Sequence, residues 1–160
     1  MANDKHLHIY LNDHLAGATG GVELARRTAS NNEGTEFGDL LKRLADEIEE
    51  DRQTLLGIIE AVGGTADKLK QGAAWTAEKV GRLKLNGKIT GYSELSRLVE
   101  IEGLAVGVEA KVSLWRSLRQ LSRTDPRLDE TLLDRLIERG TRQRDELEAK
   151  RLAAAAIAIG

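Results

Sequence analysis

Apolar residues recur at Phe37, Leu41, Leu44, Ile48, Leu55, Ile59 and Val62, in steps that alternate four and three. That spacing lays one stripe along an α-helix and predicts a helix over 36–62. The slot between Ile48 and Leu55 is filled by Asp51, an acid where the pattern asks for an aliphatic. Thr35 is a suitable N-cap, and Glu36 and Asp39 fall where the helix dipole favours acid. Gly63 and Gly64 follow the last apolar residue and predict its end.

Three more stretches carry the same period. Residues 3–30 place Leu7, Leu11, His14 or Leu15, Ala18, Val22 and Ala25 on one face, with Asn3 or Asp4 as cap. Gly20 and Gly21 lie inside this stretch and imply a close neighbour at that point, or else a break in the helix. Residues 92–121 align Leu98, Ile101, Ala105, Val108, Val112 and Trp115, capped by Thr90 or Ser93. There Gly103 and Gly107 stand one turn apart and suggest backbone packed against backbone. Residues 127–156 align Leu132 or Leu133, Leu136, Gly140, Gln143, Leu147 and Ala154, with Pro126 acceptable at the start. Four helices, each with one apolar seam, predict an all-α four-helix bundle as one domain over 1–160.

The connections add direction. The links between the first and second helices and between the third and fourth are short, so each pair reads as an antiparallel hairpin. Residues 64–91 are long enough to cross the bundle's length, and they hold a short helical pattern around Leu69, Ala73, Val80 and Leu83. Asn86-Gly87 then reads as a simple turn or as a small hairpin. This crossover is also the most basic window, with Lys68, Lys70, Lys79, Arg82, Lys84 and Lys88 against Glu78. It reads as a solvated outer face or as a patch for anionic surfaces.

Composition narrows the chemistry. Charged residues make up 31% of the chain, yet 24 basic against 26 acidic residues leave a net charge of −2 and no bulk attraction to nucleic acid or membrane. Cysteine is absent, which excludes disulfides, thiolate metal sites and a thiol nucleophile. The opening MANDKHLHIYLND is too polar for a secretory leader, and the apolar tail LAAAAIAIG is too short to span a bilayer. The expectation is a cytoplasmic protein. Phosphate-binding loops, HExxH and nucleophile-elbow motifs are all missing.

Helix lengths and the single long crossover resemble the ferritin-like superfamily, and DEIEEDR at 46–52 echoes DELEAKR at 145–151. The resemblance implies a mid-bundle di-metal centre, with a Glu from one helix of each hairpin and Glu-x-x-His from the other, binding iron or manganese. Here the matching pairs are Ile48 with Asp51 and Gly140 with Gln143, and the three histidines, His6, His8 and His14, all lie on the first helix. The ligand set is not preserved, so no metal and no cofactor is expected. Counting from the loops instead gathers His14, Asp51, Gln143 and Glu109 into one polar layer, within reach of Arg144 or Lys111. That layer reads as a buried hydrogen-bonded register device, or as a single-metal site if His14, Asp51 and Glu109 converge. The functional expectation is a non-catalytic structural or interaction protein, self-associating as a dimer through its small-residue faces. The alternatives are a metal-dependent oxidase or peroxide-detoxifying protein with a reduced ligand set, and an anionic-surface binder using the crossover.

Overall fold

A computed structural model describes residues 3–66 and 91–160, and every regular element among them is an α-helix. The helices are α1 (Asp4–Asn31), α2 (Gly38–Ala61), α3 (Glu94–Leu121) and α4 (Glu130–Ile159). The basic window, the short helical pattern and the Asn86-Gly87 turn lie outside the described residues. None of the described helices is long and apolar enough to cross a membrane.

Three of these four starts are explained by a capping side chain. The Asn3 side chain accepts the His6 amide, Ser93 and Ser96 form a reciprocal capping box, and Asp129 accepts the Leu132 amide. The second helix begins later than its pattern suggests. Thr35 is drawn back into the preceding turn, where its hydroxyl donates to the Asn32 carbonyl at 2.7 Å, and Phe37 becomes an N-cap with no side-chain bond. Pro126 lies in the turn ahead of α4, not in its first turn. Gly63 takes φ of 76° and closes α2, so that its amide reaches the Glu60 carbonyl and the Gly64 amide the Ile59 carbonyl.

Cross-helix bonds give the directions. His8 lies 3.0 Å from the Val62 carbonyl, so α1 and α2 are antiparallel. Arg151 reaches Glu102 while Arg119 reaches Asp134, which makes α3 and α4 antiparallel. Arg27 meets Glu100 and Tyr10 meets Ser117, so α1 and α3 are antiparallel as well. Arg97 stands over the Phe37 ring and Lys111 bonds Asp51, so α2 and α3 run parallel. The end of α2 and the start of α3 therefore lie at opposite ends of the bundle.

Among the described residues the buried apolar side chains form two clusters. One gathers Val22, Phe37, Leu44, Ile101, Val108 and Leu147, and the other Leu11, Leu55, Ile59, Trp115, Leu118 and Leu133. Along α2 they are divided at Asp51, and along α4 at Gly140 and Gln143. Helix α1 passes the same level through Gly20 and Gly21 without a break.

Two glycines with opposite surroundings test the packing. A Cβ on buried Gly140 would sit 2.7 Å from Val112 Cγ2, so the α3–α4 approach depends on its absence. Gly140→Ala is expected to destabilise by about 1–3 kcal/mol through overpacking. A Cβ on exposed Gly57 meets nothing within 4 Å, and Gly57→Ala should stabilise by roughly 0.5–1 kcal/mol. Urea unfolding midpoints moving in opposite directions check both. The two glycines of α3 also differ, because Gly103 admits Leu24 of α1 whereas Gly107 faces open space.

Candidate functional site: the polar layer at Asp51

Asp51 is 3% exposed and holds two cations. Its Oδ2 accepts from Lys111 Nζ at 2.5 Å, and its Oδ1 accepts from Arg139 Nε at 3.1 Å and from Arg139 Nη2. Lys111 also donates to Gln143 Oε1 at 2.6 Å, and the Gln143 amide donates onward to Glu47 at 2.8 Å. Arg43 and Arg142 bind Glu47 from outside, and both pair with Glu146. Arg139 spans to Glu50 at 2.9 Å. The layer thus runs from a fully buried amide and carboxylate to a solvated rim between α2 and α4.

The elements explain the convergence. Lys111 lies three residues after buried Val108 and four before buried Trp115, so its stem starts on the inward stripe of α3. Arg139 holds the same relation to Leu136 and Gln143 on α4. Both side chains are long enough to carry a charge from the edge of a seam to its centre. The i, i+3, i+4 spacing was the available signal for both. It is obscured because Val112 and Gly140, one residue further on, fill the same turn with residues of the expected kind.

Of the expected layer, the structure brings together Asp51 and Gln143, with Lys111 reaching in from α3. His14 is elsewhere. Six residues beyond His8 on α1, and six back from Val62 on α2, it stands level with Leu56, more than a turn from Asp51. Its half-buried ring packs edge-on against Tyr10 at 4.7 Å. Burial lowers its pKa from 6.5, opposed by Asp13. Glu109 is exposed and pairs with Arg144 at 3.6 Å, so Arg144 serves the surface too. Two residues along a helix turn a side chain by roughly 200°, which separates Glu109 from Lys111.

Electrostatics fit a closed ion network. Burial pushes the Lys111 ammonium below its ordinary 10.5, and Asp51 opposes that shift without cancelling it. Burial pushes Glu47 up, but the bonds from Gln143, Arg142 and Arg43 more than reverse this, leaving its carboxyl below the ordinary 4.5. A carboxylate favoured in the folded state adds stability above its unfolded pKa and loses it as pH falls through the folded value. The urea midpoint is therefore expected to drop as pH falls below 4.5, and Glu47→Gln should flatten that drop.

Chemically, both Asp51 oxygens are occupied by the chain's own cations. Among the described residues no group of three His, Asp or Glu is placed to hold a metal. A groove of about 530 Å³ lies away from this layer, between α1 and the end of α3, lined by Leu7, Tyr10, Ser117 and Leu121. It presents no acid–base pair. A second polar knot closes the other end of the bundle. Buried Asn32 donates to Tyr92 Oη at 2.7 Å and accepts from Arg97 at 2.5 Å, while Arg27 holds Glu100 at 3.0 Å. No family model, curated protein or solved structure matches the chain.

Proposed function

We propose that this chain is a ferritin-like helical bundle in which an internal ion layer stands where a di-metal centre would be, and that it serves as a non-catalytic structural or interaction protein that self-associates. The observation that carries this reading is the double engagement of Asp51 by Lys111 and Arg139. An ammonium and a guanidinium there supply the positive charge that a metal would bring to buried carboxylates, and they leave no open coordination position. The parallel run of α2 and α3 supports the ferritin-like topology, in which one long crossover joins two hairpins.

Metal analysis of protein purified without chelator tests it. The expected result is far less than one iron, manganese or zinc per chain, with unfolding unchanged by added metal or chelator. A stoichiometric metal that stabilises the fold and is lost in Asp51→Asn would overturn it.

A further inference from the structure

The groove between the start of α1 and the end of α3 holds about 530 Å³, a volume suited to a small molecule. Its base is apolar: Leu7 and Leu118 in its lining are buried, and half-buried Leu121 joins them. The Tyr10 hydroxyl donates to Ser117 Oγ at 3.2 Å, which ties the two helices together at one end of the groove. Arg123 stands at the other end, six residues beyond Ser117. Six helical residues rise roughly 9 Å, so the trough is about as long as a short hydrocarbon chain.

Arg123 is the one charged residue of the lining, and no acid lines it. Its guanidinium is exposed and makes no hydrogen bond or ion pair among the described residues. That is unusual in this chain. Apart from Arg116, Arg123 and Arg135, every described guanidinium is held by a partner. Arg116 stands one turn before Gln120, a lining residue, on the same face of α3. Two unpaired guanidiniums therefore flank one side of the groove. The neighbouring acids do not offset them. Asp4 is held by Arg127, Glu130 and Asp134 are held by Arg119, and Asp13 lies outside the lining.

An apolar trough with an unpaired guanidinium at one end is complementary to a hydrocarbon that ends in an anion. A carboxylate meets the guanidinium fork with two parallel hydrogen bonds, whereas an ammonium is repelled by it. We propose that this groove binds a small amphipathic carboxylate of the medium-chain fatty-acid kind. Its carboxylate pairs with Arg123, and its chain lies over Leu121, Leu118 and Leu7 towards the Tyr10–Ser117 bond. The groove lies away from the Asp51 layer, so binding there is independent of the metal-free reading.

Decanoate is the probe, kept below its micelle concentration in physiological salt, and amide NMR of the full chain follows it. The shifts are expected to saturate at one decanoate per chain and to concentrate at 7–10 and 117–124. Arg123→Gln, at an exposed position, should weaken binding about tenfold or more, the cost of one charge-assisted hydrogen bond. Decylammonium, of the same chain length, should bind more weakly than decanoate. Ser117→Trp fills the trough from an exposed position and should abolish binding. Arg135→Gln removes an unpaired guanidinium on α4, outside the groove, and should leave the affinity unchanged. Circular dichroism checks that each variant keeps its helices. Decanoate that does not saturate, or shifts spread over all four helices, overturns the site. Binding that persists in Ser117→Trp, is unchanged in Arg123→Gln, or is matched by decylammonium overturns it as well.

Discussion

Replacing Asp51 by Ala is expected to cost about 3–5 kcal/mol of stability, the range seen when one partner of a buried ion pair is removed. The reason is what remains. Lys111 would keep an ammonium at the bundle centre with only Gln143 to accept from it, while Arg139 could fall back on Glu50 at the rim. The series around this residue separates charge from packing. Lys111→Met should cost less, about 1–3 kcal/mol, because Arg139 still neutralises Asp51 and only Oδ2 and Gln143 Oε1 lose a donor. The double variant Asp51→Leu with Lys111→Met replaces the pair by apolar groups of similar length and should recover more than half of the Asp51→Ala loss. Urea unfolding of the wild type, Asp51→Leu, Lys111→Met and their double variant gives the coupling directly. A double variant as unstable as the sum of its singles would mean that the pair does not act as a unit.

Phe37→Ala is expected to cost a comparable amount, about 3–5 kcal/mol, for a different reason. The ring is buried at the start of α2, where three elements meet on it. The Arg97 guanidinium of α3 lies 4.7 Å from its centroid and the Lys150 ammonium of α4 lies 5.3 Å away, with Lys150 also donating to the Glu36 carbonyl at 2.8 Å. Truncation removes both a large apolar group and the surface on which two cations rest. Phe37→Leu keeps most of the volume and loses the π face, so it isolates the cation–π part at about 0.5–2 kcal/mol. Hydrogen exchange should place the opening caused by Phe37→Ala in the 32–37 turn and the first turn of α2. Uniform loss of protection across all four helices would instead assign Phe37 a purely global role.

The α2 stripe shows how far periodicity reaches. Leu41, Leu44, Ile48, Leu55 and Ile59 are all buried, and the one misfit in their row, Asp51, is buried with them. Gln143 was legible for the same reason, since it occupies an inward slot between Leu136 and Leu147. The four helices among the described residues, their hairpin pairing and an acid inside the core all follow from a 3.6-residue period and from the lengths of the connections. His14 and Glu109 were misplaced because two other quantities matter. The level of one helix against another is set by end contacts such as His8 with the Val62 carbonyl, and a shift of one turn exchanges one neighbour for the next. Nor does the position of a Cα limit where a Lys or Arg charge ends, because four or more rotatable bonds carry it across a seam. From the chain alone comes the buried acid at Asp51, together with the requirement that something neutralise it. Only the packed bundle selects Lys111 and Arg139, because their long stems start at the right height on α3 and α4 while the histidine on α1 lies more than a turn away.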